Sequence, residues 1–328
     1  MMRSINIKKL VAILAIIFIG SASIAGIIFF IQYGVSGFSF SNIDSYEKTI
    51  NEEKTSELHE ITSISIESQS EDINIISTNS SELKAHFYGG YSSGNKSYKP
   101  ELVLSKDEGR MHIKIDDNHN GLNINYRSNL KLDVYIPSPF SESISVKSIS
   151  GEVTTGDLSI KNLSIRTTSG DIKADYVNAF TAVLDSTSGE INAKGKFNEF
   201  SVKTTSGDFI SENIEAAAIE LESTSGEIKM SGNLGNTIAK SISGDISLYT
   251  SVLSDNMGIS TTSGETILKL PDTATFKLTC KSTSGEIDCD FPVTVTGYGK
   301  EHELNGTVGN GSSTVAITSS SGDISIRK

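Results

Sequence analysis

From residue 141 onward, apolar and polar residues alternate in short runs that keep returning to one phrase, Ser-Gly-acid-apolar. It reads Ser150-Gly151-Glu152-Val153, then Ser169-Gly170-Asp171-Ile172, and recurs with small variations around Gly189, Gly207, Gly226, Gly244, Gly264, Gly285 and Gly322. The glycine-to-glycine steps are 19, 19, 18, 19, 18, 20, 21 and 37, the last being close to two steps with one phrase missing. A fixed period of this length marks a repeat architecture. Five residues before each glycine stand apolar side chains such as Ile165, Leu184 and Leu221; two after it stand Ile172, Ile191 and Ile228. Strand side chains alternate faces, so each unit reads as strand, bend, strand, with both strands turned inward. Parity changes across the Ser-Gly pair, where glycine tolerates positive φ. One unit cannot bury its own stripe, whereas stacked units can. The pattern predicts an all-β fold: a parallel β-solenoid of 19-residue coils over 141–328, with an insertion at 290–311.

Upstream, alternation begins near Ile61, and residues 60–140 read as an N-terminal β-strand region. Gln69-Ser70-Glu71-Asp72-Ile73 looks like the repeat phrase with its glycine replaced. Before it, residues 32–59 form a polar linker, with room for a short helix. Leu10–Ile31 is different in kind: 22 residues without a charge, enough for one transmembrane helix. A cleaved signal peptide is the alternative, with Ala22 and Ala25 as cleavage-site mimics, but the apolar run continues past both. Arg3, Lys8 and Lys9 precede the span and no cation follows until Lys48. The expected arrangement is a cytoplasmic tail at 1–9, a single pass through the cell membrane, and an extracytoplasmic remainder. Ser21/Ala25 and Ala22/Gly26 are small-residue pairs that open the way to self-association.

Composition narrows the function. The net charge of −12 argues against nucleic acid as a partner, which needs a basic footprint. Two cysteines are too few for a disulfide framework. Cys280 and Cys289 stand at matching distances from one bend, so either a bridge between them or two buried free thiols is expected. The five histidines are scattered, no phosphate-binding or hydrolase motif occurs, and no cofactor is expected.

The residue after every repeat glycine is acidic, so coils in register place like charges in a file. Asp171, Glu190, Asp208, Glu227 and Asp245 are the candidates for cation binding. The alternative is a row of solvated turn carboxylates that keeps the edge from pairing. Lys147, Arg166, Lys203, Lys240 and Lys281, four before the glycine, are expected to offset this file. Ser or Thr always occupies the position three before the glycine, and Ser the position just before it. Repetition argues for a structural hydroxyl ladder between coils and against nine nucleophiles without a base. No catalytic residue is assigned. Recognition is expected where the phrase is broken: at Tyr88, Tyr91 and Tyr98, and at Tyr298 and His302 in the 290–311 insertion. A capping hairpin is the other reading of that insertion.

The Thr-Ser-Gly-Asp-Ile repeat, the tract Leu132-Asp-Val-Tyr-Ile-Pro137 and the closing Ile317-Thr-Ser-Ser-Ser-Gly322-Asp-Ile resemble the bacterial putative-adhesin family of β-strand-repeat proteins, the LiaG-like group with a domain of unknown function. The resemblance covers about residues 60–328. It implies an anchored or exported envelope protein without catalytic residues. Three functions are weighed: an interaction or adhesion-type scaffold for an envelope protein or cell-wall polymer, an accessory part of envelope-stress signalling through a membrane partner, and a polysaccharide-active enzyme. The scaffold is favoured: the signalling role needs a partner in the membrane, and the enzyme needs a non-repeated acidic or basic cluster on one rung, which the sequence does not offer.

Overall fold

The computed structural model describes residues 46–93, 98–116, 127–253, 256–295 and 302–328, and everything below concerns these. They form strands and turns without a helix. The expected membrane span at 10–31 lies outside them, and no helix among them is long and apolar enough to cross a membrane.

The chain opens with β1 (Tyr46–Glu57), so the expected linker already contains a strand. There follow β2 (Ser63–Glu67), β3 (Asp72–Thr78), β4 (Glu82–Ser93), β5 (Glu101–Asp107), β6 (Arg110–Asp116) and β7 (Arg127–Pro137). The repeats supply β8 (Ser143–Lys147), β9 (Val153–Gly156), β10 (Ser159–Thr167), β11 (Ile172–Ser186), β12 (Ile191–Thr204), β13 (Phe209–Ser223), β14 (Ile228–Ser241), β15 (Ile246–Thr250), β16 (Asn256–Thr261), β17 (Thr266–Lys269), β18 (Phe276–Ser282) and β19 (Ile287–Cys289). β20 (Thr294–Val295), β21 (Glu303–Val308), β22 (Ser313–Ser319) and β23 (Ile324–Arg327) close the chain.

Pairing runs from unit to unit in parallel register. Ile165 faces Leu184, which faces Val202, which faces Leu221. Ile172 likewise faces Ile191, and Ile191 faces Phe209. The strands before the bends form one ladder, β6-β2-β8-β10-β11-β12-β13-β14-β16-β22-β18. Those after the bends form a second, β7-β3-β9-β11-β12-β13-β14-β15-β17-β23-β19. Antiparallel strands flank the ends: β5 on β6, β4 on β7, and β21 on β18.

Order in space departs from order in sequence at both ends. β2 and β3, the first coil of the chain, lie between β6/β7 and β8/β9. β22 and β23, the last, lie between β16/β17 and β18/β19. Both terminal coils are thus paired on two sides, which hides the backbone edges that would fray or recruit another chain. The 37-residue step is therefore not a coil with a missing phrase. It is the hairpin of β20 and β21 followed by a coil that folds back inward.

The bend differs from expectation in two ways. The serine just before each glycine, Ser169 for example, is exposed, so parity changes one residue earlier than the sequence pattern indicates. Gly170 and most of its equivalents do not have positive φ. Their constraint is contact: a Cβ on Gly170 would lie closer than 3.0 Å to the carbonyl oxygen of Gly151 in the adjacent coil. Coil length has its own cause six residues past the glycine. In 19-residue coils an extra residue bulges there in left-handed conformation, as Asp157, Tyr176 and Asn213. In the 18-residue coils the bulge is absent and Gly195 or Gly232 (φ 150° and 149°) takes its place.

Inside, one continuous apolar cluster runs from Ile50 to Ile326. The inward hydroxyls three before the glycine mostly close their own bend instead of bridging coils. Thr167 and Thr204 donate to the carbonyls of Gly170 and Gly207 at 2.7 Å. Ser241 and Ser319 accept the N–H of Gly244 and Gly322 at 2.8 Å. Two inter-coil bonds match the expected ladder: Thr167 to Ser186 at 3.1 Å, and Ser282 donating to the Gly322 carbonyl at 3.2 Å.

Candidate functional site

The bend carboxylates form an ordered file. In spatial order they run Asp72, Glu152, Asp171, Glu190, Asp208, Glu227, Asp245, Glu265, Asp323, Glu286, so Asp and Glu alternate without a break. Each aspartate accepts the backbone N–H of the glutamate in the next coil: Asp171 from Glu190, Asp208 from Glu227 and Asp245 from Glu265 at 2.8 Å, Asp323 from Glu286 at 2.9 Å, and Asp72 from Glu152 at 3.2 Å. The shorter side chain reaches the neighbouring backbone, which leaves the glutamates to solvent and to partners such as Lys173, 3.0 Å from Glu152. Among the described residues no cluster of His, Cys, Asp or Glu is arranged to hold a metal ion. The candidates Asp171, Glu190, Asp208, Glu227 and Asp245 are in register, with the three aspartates engaged on backbone.

The cations four before the glycine do not offset this file. Four of the five pair elsewhere: Arg166 with Asp185 at 3.8 Å, Lys203 and Lys240 with Glu222 at 3.4 and 3.3 Å within their own ladder, and Lys281 with Glu303 of the flanking β21 at 3.5 Å.

A non-repeated constellation lies on the outer face where β4, β7 and β3 adjoin. His86 stands opposite Asp133, and Asp133 opposite Asn74. Asp133 is buried at 8% exposure despite its charge. Its oxygens accept from Asn74 Nδ2 at 2.7 Å and from the Tyr88 hydroxyl at 3.2 Å. His86 stacks on Tyr88 with ring centroids 4.5 Å apart, and its Nε2 lies 2.7 Å from Asn51 Oδ1 on β1. Burial, reinforced by the Asp133 charge, pushes the Tyr88 phenol up. It stays protonated as a donor to Asp133. Lys84 lies over the Tyr135 ring at 4.5 Å and 3.6 Å from Glu53. The patch offers stacked rings, amides and a fixed carboxylate. None of these groups pairs a nucleophile with a general base.

Of the residues singled out in the sequence, only Tyr88 joins this patch. Tyr91 and Tyr98 are core residues, 4% and 3% exposed, packed edge to face at 5.7 Å, with the Tyr91 hydroxyl on the Tyr98 carbonyl. Tyr298 lies outside the described residues. His302 has φ 64° and its Nδ1 lies 2.9 Å from the Gly285 carbonyl, beside the β20–β21 hairpin that covers β18. That hairpin fits the capping reading of the insertion. Asp133, His86 and Asn74 escaped the sequence reading. Their signal was an aspartate inside the apolar run Leu130–Ile136.

Cys280 is buried and Cys289 half-buried, both as free thiols. Burial, with the nearby Cys289, pushes the Cys280 thiol up to about 12. Burial also raises Cys289. Neither is poised as a thiolate nucleophile at neutral pH.

Residues 61–327 match the family described as Toastrack DUF4097. No curated protein matches the chain. Among solved structures, a protein titled putative lipid binding protein from Parabacteroides distasonis is 16% identical; the match covers 88% of this chain and 98% of that one, with a TM-score of 0.48. A protein titled putative adhesin from Parabacteroides merdae is 11% identical over 88% and 98%, with a TM-score of 0.46. One titled putative cell adhesion protein from Clostridium sporogenes is 12% identical over 85% and 99%, with a TM-score of 0.31.

Proposed function

The chain belongs to the Toastrack DUF4097 family, and on that premise we propose that it is a non-catalytic cell-envelope scaffold. In this reading the parallel ladders wind as a β-solenoid. The apolar segment 10–31 holds it at the membrane with the strands outside. Its partner is an envelope protein or wall polymer, met on a surface where the repeat is broken. One observation carries the reading. The repeated hydroxyls and aspartates are spent on the chain's own backbone, while the polar groups of Asn74, Asp133, Tyr88 and His86 are gathered on an outer face.

Crosslinking in intact cells, followed by recovery of the chain and its adducts, tests this. Wall polymer or a surface protein among the adducts, reduced in Tyr88→Ala and Asp133→Ala variants, supports the scaffold. A sensor kinase or other integral membrane partner favours the accessory signalling role instead. Protease added to intact cells tests the placement: residues 46–328 should be cleaved, and their protection contradicts it.

A further inference from the structure

The coil that begins at Gly170 departs from its neighbours on a face the patch above does not use. Past the bulge, residues 177–179 form a third in-register run, with Asn178 paired to Ser159 on one side and Lys196 on the other, and Lys196 paired to Glu215. The outward positions of this face are polar in most coils: Ser159, Asn178, Lys196, Glu215 and Asn233 in the central column. Two aromatic rings interrupt the polar field. Tyr176 is 67% exposed and Phe180 56%. They flank the exposed Asn178, each two residues from it along the same coil.

Tyr176 is out of place by the rules of the repeat. It has φ 55°, a left-handed conformation that favours glycine, asparagine and aspartate. The same bulge position holds Asp157 and Asn213 in two other coils, as that preference dictates. A bulky ring retained there, in water, is a local cost without a packing return, and such outliers gather at functional positions. Beside Phe180 lies a shallow groove of about 510 Å³ lined by apolar Ile160, Phe180 and Phe197 and by polar Asn178, Lys196 and Glu215, the last two paired at 2.6 Å.

We propose that Tyr176, Asn178 and Phe180 form a binding platform for a pyranose-based glycan. The aromatic faces receive the C–H faces of sugar rings, and the amides and the Lys196–Glu215 pair bond the hydroxyls. A protein partner fits less well. Asn178 stands between the two exposed rings, and the apolar groove residues Ile160 and Phe197 are themselves buried, so little apolar surface is left for a protein anchor. This deepens the scaffold reading and rests on it, by giving the chemistry of one partner at a second surface.

The test uses the full chain in mild detergent, titrated calorimetrically with chitotetraose, cellotetraose and maltotetraose. The wild type binds at least one of them. Phe180→Ala and Tyr176→Asn each weaken that binding at least tenfold. Tyr176→Asn keeps or raises the melting temperature, because Asn213 already occupies this conformation, so lost binding is not lost folding. Binding to none of the three, or variants that bind as the wild type does, overturns the platform. So does a dimer that Phe180→Ala turns to monomer without any saccharide effect. If the saccharides fail while envelope crosslinks persist, the platform falls and the scaffold stands. If the crosslinks also fail, both fall.

Discussion

Asp323 accepts the backbone N–H of Glu286 at 2.9 Å although 37 residues separate them, and the bond repeats the one that Asp245 accepts from Glu265 at 2.8 Å. The last bend in the sequence is thereby locked beside the last but one, and the spatial alternation of Asp and Glu is kept. Asp323→Ala should lower stability by about 1 kcal/mol in urea unfolding, the usual net worth of such a bond. Asp323→Asn keeps an acceptor and should lose less. Equal losses in the two variants would show that the contact does not act as a hydrogen bond.

Two glycines in neighbouring coils should respond oppositely to the same methyl group. On Gly170 it meets the Gly151 carbonyl oxygen, whereas on Gly156 the nearest atom is 3.9 Å away. Gly170→Ala should cost about 3 kcal/mol, at the upper end for overpacking, while Gly156→Ala stays within about 0.5 kcal/mol of wild type. Thermal melts of both variants decide it. A tolerant Gly170 would mean that the coils stand further apart than described.

This contrast shows what the sequence made legible and what it did not. The columns around Ile172 and Leu184 were readable because one buried face imposes period two on every coil. The glycine was readable as a bend, but its cause was not, because the crowding atom belongs to the Gly151 carbonyl of another coil. The place of β22 and β23 was hidden because neighbour order was inferred from chain order. The trace was there: Glu265 and Glu286 follow one another in sequence, and Asp323 restores the alternation only when its coil lies between theirs. The Asp133 patch was illegible because its members come from four strands, among them β1 within a stretch that read as linker.

Thr266 occupies a position where the other repeats carry Val, Ile or Phe, and its buried hydroxyl is without a hydrogen-bond partner among the described residues. Thr266→Val keeps the shape and removes the unsatisfied group. It should stabilise the protein by about 1 kcal/mol in chemical denaturation. A loss of stability would point to a water or polar partner at that hydroxyl.

Lys240 and Lys203 together hold the Glu222 carboxyl below the usual carboxylate range, the hydrogen bond from Lys240 being the larger cause. A depressed carboxylate contributes stability that is fully present above its unfolded pKa. That contribution is lost as pH falls through the lower folded value. Exposure and screening keep it below about 1 kcal/mol. Glu222→Gln should therefore match wild type at acid pH and fall slightly short at pH 7, and salt should narrow the gap. A deficit that grows toward acid would reverse the sign and refute the pairing.

The central claim is that the repeated serines and carboxylates serve the fold and that the protein binds without turning anything over. Incubating the full chain with isolated envelope polysaccharide and measuring new reducing ends tests it most directly. The account predicts no release above the protein-free control. Release that a single Asp or Glu substitution abolishes, in a variant that melts as the wild type does, would contradict it.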